Sequence, residues 1–188
     1  LQARRVRTIK LDATEEGRHA YLKLGFKDER PIVRYAGVAP QHPEAHPQVR
    51  PMAPQDLPAI RDLDRDAFGA DRLLLLEILL RDGVAVRATE GQTPRGYGFA
   101  RPGRQADYLG PIVATDAEAA RAVFQALLAR YPGRKVFCDV LCDNQQAVRL
   151  VESFGFVVAR RLTRMHLGEK MDLGRIPLMY GTAGFEFG

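Results

Sequence analysis

The sequence predicts an α/β protein with a mixed central sheet flanked by helices. Three observations carry this. Across residues 48–168, apolar alternation and helical spacing follow one another in the order β-α-α-β-β-β-α-β-α-β. A strand–helix–strand pattern occurs twice: Leu11-Asp-Ala-Thr-Glu-Glu-Gly-Arg-His-Ala-Tyr-Leu-Lys-Leu-Gly-Phe26 and Leu141-Cys-Asp-Asn-Gln-Gln-Ala-Val-Arg-Leu-Val-Glu-Ser-Phe-Gly-Phe156 align without a gap at an offset of 130. The composition, 46% hydrophobic and 27% charged, is that of a soluble globular chain. Its 188 residues suffice for one ordinary domain plus a piece.

Residues 1–7 read as the tail of a helix and Thr8–Ala13 as a short strand. Glu15–Leu24 is a helix ended by Gly25, which suits the left-handed position after a helix. Phe26–Ala36 forms one or two strands broken near Pro31. Three prolines in Val38–Pro47 cannot feed a helix or central strand, so a linker follows. His42 and His46 lie in it without a nearby cysteine and read as linker residues rather than metal ligands.

A complete α/β unit comes next. Val49–Met52 is a strand. Asp56 caps a helix through Phe68, with Pro58 in its first turn. Asp71 starts a second helix to Leu80, stopped by Asp82-Gly83. Val84–Thr89, Gly96–Ala100 and Tyr108–Ala114 are strands. A helix from Asp116 to Arg130 buries Ala120, Val123, Phe124, Leu127 and Leu128. Val136–Leu141, Asn144–Phe154 and Val157–His166 give strand, helix and strand. The tail 169–188, glycine-rich and apolar, reads as an extended segment that packs on another module.

The formal net charge of +5 and pI near 9.5 raise a nucleic-acid partner. The arginines are scattered and interleaved with Asp and Glu, with no aromatic-interleaved basic stripe, which speaks against it. No apolar run approaches the ~20 residues of a membrane span. Cys138 and Cys142, four apart on one strand face, match no zinc or redox motif and read as buried thiols in a reducing cytosol. No metal is expected.

The doubled pattern resembles motif B of the GCN5-related N-acetyltransferases, the GNAT family, and the element order of 48–168 is that of a GNAT domain. Leu11–Phe26, Asp64-Arg-Asp-Ala-Phe-Gly-Ala-Asp-Arg72, Tyr108-Leu-Gly-Pro-Ile-Val-Ala114 and Arg161-Leu-Thr-Arg-Met165 look like a tandem-GNAT subgroup with a degenerate C-terminal domain. The resemblance implies four regions. Residues 1–38 close an incomplete first GNAT domain, 39–47 are a Pro-rich linker, 48–168 are a second, degenerate GNAT domain, and 169–188 are a tail. It also implies N-terminal truncation of a chain of nearly 300 residues, with the acceptor bound near the domain junction.

By the same resemblance, acetyl-CoA is the co-substrate, lying between two splayed parallel strands with its pyrophosphate on a Gly-rich helix start. Gly110-Pro111 would supply the bulge before that gap. The loop Val113–Arg121 has no glycine, however. Thr115-x-x-Glu118 reads as a capping box, and Asp116 sets a carboxylate where a diphosphate would go. A tyrosine four residues before Gly-Phe can protonate the leaving thiolate. That position is Val151 in the second copy and Tyr21 in the first. Tyr21 is therefore the candidate general acid, with an edge-packed tyrosine as the alternative, and Thr14, Gly17 and Tyr21 are the candidate coenzyme-binding residues.

Elsewhere, Asp62, Asp64 and Asp66 read as a solvated helix face, and Asp71-Arg72 as a helix start. Arg161 and Arg164 either line an anionic pocket or lie at a surface. The functional expectation is acyl transfer from acetyl-CoA to an amine acceptor, small molecule or peptide, by a cytoplasmic protein whose C-terminal part is inactive alone. The alternative is a non-catalytic GNAT-like ligand-binding or regulatory module. Residues 8–36 cannot enclose a core, so their apolar face needs cover. The choices are this chain's second unit or tail, or a homodimer through residues 8–36, with the dimer favoured because the linker could hold the segment out.

Overall fold

The computed structural model describes residues 6–42, 46–171 and 174–185. The helix expected over residues 1–7 lies mostly outside the described residues. Nine strands form one mixed sheet in the order β1-β8-β2-β7-β6-β5-β4-β3, with β9 pairing β6 off that path. The strands are β1 (Thr8–Ala13), β2 (Lys27–Val38), β3 (Val49–Pro51), β4 (Val84–Glu90), β5 (Thr93–Arg101), β6 (Asp107–Ala114), β7 (Lys135–Leu141), β8 (Val157–Gly168) and β9 (Met179–Gly181). The helices are α1 (Glu15–Lys23), α2 (Leu57–Phe68), α3 (Leu73–Asp82), α4 (Ala117–Leu128) and α5 (Gln145–Ser153).

The repeat is visible in three dimensions. Shifted by 130, α1 falls on α5 and β2 falls on β8, end for end. The two β-α-β copies do not stand side by side. They exchange strands: β1 pairs β8 and β7 pairs β2, all antiparallel, while β2 and β8 pair antiparallel with each other. The β2–β8 register is symmetric about the equivalent residues Ile32 and Leu162, with Lys27 opposite His166 and Ala36 opposite Val157. Its two irregularities skip Glu29 on one strand and Ala159 on the other, again equivalent positions. A pseudo-two-fold axis therefore runs between β2 and β8.

One expectation is corrected by this register. Thr8 stands opposite Gly168 as Lys135 stands opposite Val38, so the first strands correspond at an offset of 127. Helix and second strand correspond at 130, so the second copy carries three more residues between Asp139 and Asn144. They lengthen β7 by Leu141, which pairs with Ile32 and has no counterpart in β1.

Residues 27–38 form one strand rather than a strand broken at Pro31. The β7 ladder begins at Ile32, and the Pro31 carbonyl accepts only a longer bond from Cys142 N at 3.3 Å. The missing proline N–H thus falls at the end of the pairing, where a ladder donor is not required. Nor does the linker hold this segment out. Ala39 N donates to Arg134 O and Gly133 N to Ala39 O, which strap its start to the approach to β7. Within this chain, β2 is covered on its two edges by β7 and β8.

Two cores lie on opposite faces of the sheet. On one, α4 and α5 bury Val123, Phe124, Leu127, Leu150 and Val151 against Val33, Tyr35, Ile112 and Val140. On the other, α2 and α3 bury Leu57, Ile60, Leu76 and Leu79 against Ile32, Tyr97, Phe99 and Leu162. β2 contributes to both. Helix α1 packs on β1 and β8 but has no buried residue, and Leu22 and Leu24 remain 40% and 67% exposed.

The symmetry extends to charge. Arg34 on β2 forms a two-point pair with Asp139 on β7, both contacts at 2.7 Å. Arg164 on β8 forms the equivalent pair with Asp12 on β1, at 2.8 and 2.9 Å. Both carboxylates are fully buried, and the Arg164 side chain is 5% exposed. Arg164 is therefore neither a surface arginine nor a pocket lining. Such planar forks tie two strands where a single point charge would not.

Removing one partner of a buried pair strands the other charge in a poor solvent. Asp12→Ala should lower unfolding stability by about 3–5 kcal/mol in urea denaturation. Asp12→Ala with Arg164→Met should recover most of that loss. Asp62→Ala, which breaks the exposed pair with Arg65, should cost no more than about 1 kcal/mol.

Candidate functional site

Strands β6 and β7 are the parallel pair, and they part early. They pair from Asp107–Val136 to Leu109–Cys138 and no further. The cause is local. Gly98 and Ala100 on β5 stand opposite Ile112 and Leu109 on β6, so Gly110 and Pro111 together face one residue. This is the expected bulge. Gly110 has φ +147°, open to glycine but strained for other residues. A Cβ there would lie 2.0 Å from the Thr182 carbonyl oxygen.

Beyond the bulge β6 changes partner. Ile112 and Val113 pair with Gly181 and Met179 of β9. On the other wall, Thr182 N donates to Asp139 O of β7 at 2.8 Å. Tyr108 OH donates to the Thr182 carbonyl at 3.1 Å; burial and the Asp139 carboxylate raise its pKa well above the ordinary value, so the proton stays on. The tail was expected to pack on another module. Instead Leu178, Met179, Tyr180, Thr182 and Ala183 are buried in the gap of the second unit itself. Phe185 continues to a stacking position 4.1 Å from the Arg34 guanidinium.

The helix starts at this cleft are already capped. Asp116, not Thr115, is the N-cap of α4, and its Oδ1 accepts from Ala119 N at 2.9 Å. Thr115 Oγ1 donates its one proton to Asp116 Oδ2 at 2.8 Å and lies 3.1 Å from the Arg95 carbonyl, so the expected capping box is replaced by an Asp cap. Asp116 Oδ2 also receives the Arg95 guanidinium, at 2.6 Å from Nη2. Burial opposes ionisation, but the Ala119 amide, Arg95 and Thr115 together bring its pKa down to about 2. At α5, Asn144 Oδ1 accepts from Gln146 N and Ala147 N, while Nδ2 faces the carbonyls of Ile176, Pro177 and Met179 at 3.0–3.2 Å. Tyr180 OH donates to Gln146 Oε1 at 2.7 Å.

The first copy is built differently. Thr14 caps α1, accepting from Gly17 N at 3.1 Å. A Cβ at Gly17 would sit 3.6 Å from the Tyr21 ring. Thr14, Gly17 and Tyr21 thus share one helix face. Tyr21 is half-buried and packs edge-on against Phe26, centroids 5.5 Å apart. Its counterpart Val151 is fully buried in the α4–α5 core.

Several charged residues differ from the sequence reading. Asp64 is 1% exposed; it accepts three contacts of 2.8–3.0 Å from Arg72 and the hydroxyl of Tyr97, tying α2, α3 and β5 together. Asp71 pairs with Arg61 and accepts from Leu73 N. Asp56 accepts from Ala53 N, closing the 3-10 turn Pro54–Asp56 rather than capping α2. Cys138 lies in β7, buried, with its thiol pKa raised by burial; Cys142 lies past the strand end and its pKa is raised too. The paired arginines did leave a signal: Arg34 and Arg164 recur at 130, and Asp12 and Asp139 at 127.

The splayed parallel pair, the bulge and the flanking helices define the class: an acyl-CoA transferase fold. Residues 60–181 match the model of the acetyltransferase (GNAT) domain, and the chain belongs to that family, whose domains use acetyl-CoA as co-substrate. It resembles a provisionally named acetyltransferase of Pyrococcus horikoshii (26% identity, TM-score 0.78), over 97% of this chain and 60% of that one. Two lower likenesses concern the fold alone. One is a GCN5-related N-acetyltransferase of Sphaerobacter thermophilus (17%, TM-score 0.62, covering 87% and 62%). The other is a tandem GNAT protein of the clavulanic acid biosynthesis pathway (14%, TM-score 0.58, covering 87% and 65%). The chain thus spans less than two thirds of each. Curated proteins gave no match. Among the described residues no helix is long and apolar enough to cross a membrane, and no His/Cys/Asp/Glu group is arranged to hold a metal.

The Asp116 carboxylate has a folded pKa below its usual 3.8, so its stabilising effect is full above about pH 4 and fades as the pH falls toward 2. Asp116→Asn keeps a capping side chain but loses the charge. Its stability deficit, about 1 kcal/mol or less at pH 7, should shrink between pH 4 and 2 in parallel urea titrations with the native chain.

Proposed function

We propose that this chain serves N-acetyl transfer from acetyl-CoA to an amine acceptor as part of a tandem GNAT protein. In this reading residues 8–38 close a first, catalytic unit and 48–168 are a degenerate second unit that supports it. One observation carries the reading: the two β-α-β copies are related by symmetric pairing, yet only the first keeps a proton donor at the helical position four before Gly-Phe. Tyr21 stands there half-buried, with Val151 as its fully buried counterpart. The exposed Leu22 and Leu24 on α1 are consistent with a face that packs against further protein.

The chemistry follows from the groups present. An acceptor amine attacks the thioester carbonyl, and the thiolate leaves. Tyr21 gives its proton to the departing thiolate as the C–S bond breaks, and the proton that the acceptor nitrogen loses on becoming an amide passes by way of solvent to restore the tyrosine. Thr14 and Gly17 shape the start of α1 beside it. Strand β8 completes the first unit's sheet next to β1, and Arg164 holds Asp12 two residues before the Thr14 cap. The second unit thus positions the first.

The second cleft does not fit the co-substrate. A diphosphate on α4 would meet the ionised Asp116, which already takes the Ala119 amide. For residues 48–168 taken alone, the non-catalytic reading is the better one.

Calorimetric titration of the 188-residue chain with acetyl-CoA should show no stoichiometric binding at micromolar concentration. Saturable 1:1 heats in that range would sink this reading of the second unit. In a longer protein with active acetyl transfer, Tyr21→Phe should lower turnover by about 10²-fold or more, within the range of general acid catalysis, and leave coenzyme affinity nearly unchanged. An unaltered rate across the pH range would remove Tyr21 from the mechanism.

A further inference from the structure

We propose that residues 176–185 are the resident occupant of the second cleft: the chain's own backbone stands in the lane between β6 and β7 and closes it to any acyl thioester. This rests on reading that cleft as a former acetyl-CoA site.

The bulge at Gly110–Pro111 releases β6 from β7 and leaves two strand edges facing one gap. Buried ladder groups must find partners. A bound thioester arm, an extended chain carrying amides, could supply some of them. Here β9 supplies them as peptide groups, pairing Ile112 and Val113 on one wall while Thr182 N reaches Asp139 O on the other.

Side chains complete the replacement. Asn144 caps α5 with its oxygen and holds three tail carbonyls with its nitrogen, so the polar group at the mouth is committed to the tail. Tyr108 and Gln146 hold Thr182 O and Tyr180 OH from opposite sides. Tyr180 is 1% exposed and Ala183 0%. Segments that open for a ligand come from the weakly packed end of a structure, with few buried apolar contacts. This one lies in the core, and Gly110 is free of a Cβ where its carbonyl approaches closest.

Two measurements test the proposal. The first is hydrogen exchange on the unmodified chain, with and without millimolar acetyl-CoA. The Thr182 amide and the bonded amides of 112–113 and 179–181 should exchange at least about 10³-fold more slowly than in an unstructured chain, as core amides do. Acetyl-CoA should change none of them. Rapid exchange there, or loss of tail protection on adding acetyl-CoA, would make the segment a lid and overturn the proposal. Acetyl-CoA bound with tail protection intact would instead defeat the binding prediction above while leaving the resident tail standing.

The second measurement is a cross-link. A Cβ at Gly181 would lie 3.2 Å from Cys138 Sγ, close enough for a disulfide. In a Cys142→Ser background, Gly181→Cys refolded in the presence of oxidant, while both thiols are still accessible, should bridge to Cys138 nearly completely and raise the melting midpoint. A variant that refolds under oxidant without forming the bridge would count against residency. Should the substitution prevent folding, the exchange data on the native chain decide.

Discussion

The antiparallel ladder between β2 and β8 is the constraint on which the rest of the molecule depends. It lies at the centre of a pseudo-two-fold arrangement, with Ile32 opposite Leu162 and bulges at the matching positions Glu29 and Ala159. Each strand fills the place beside the other copy's first strand. Without β2, the edge of β7 would be open; without β8, β1 would have no neighbour. β2 also faces both cores, Ile32 toward α2 and α3 and Val33 toward α4 and α5. The ladder is thus both a seam between the copies and the middle of a single sheet.

Fixed to that seam are the two Arg–Asp forks. Burying an ion pair contributes little net stability compared with apolar packing, but a fork has one register in which both contacts form. A one-residue slip of β2 against β7 would turn Arg34 away from Asp139 and carry Ile32 out of the α2–α3 core to the opposite face of the sheet. The copies differ elsewhere. The first has Tyr21 on an open helix. In the second, the equivalent position lies in the core, and the helix-start amides are taken by Asp116 and Asn144.

Much of the fold was legible because its signals are local. Alternation, helical spacing, Gly25 and Gly155 after their helices, and the Gly110-Pro111 bulge each act within a few residues, and each lies where the spacing puts it. The placing of Thr14, Gly17 and Tyr21 on one face follows from helical periodicity alone. Partner choice was not legible. That β2 would pair with β7 rather than β1 depends on residues more than a hundred positions away, and the pattern of β2 is compatible with either neighbour. Asp64 was misread for the same reason. Its alternation with Asp62 and Asp66 suggests a wet face, and only the tertiary approach of Arg72 and Tyr97 makes burial tolerable. The tail's destination was equally hidden, since its apolar residues name no particular surface.

The strand exchange also governs how the molecule comes into being. From β2 to β3 the chain crosses five strand spacings, about 24 Å, and the ten residues between Val38 and Val49, extended, reach about 33 Å. The strands at either end of the proline-rich stretch, β2 and β3, belong to one sheet. During synthesis β2 emerges early but has neither neighbour until β7 and then β8 have left the ribosome. Domains usually form from the N-terminus as the nascent chain lengthens. Here β2 waits for β7 and β8, its pairing with β8 closes loops of more than a hundred residues, and such long-range closure slows folding. Until β8 is made, β2 lacks the partner that covers one of its edges in the folded chain, and an unpaired edge is open to pairing with the wrong strand over that interval.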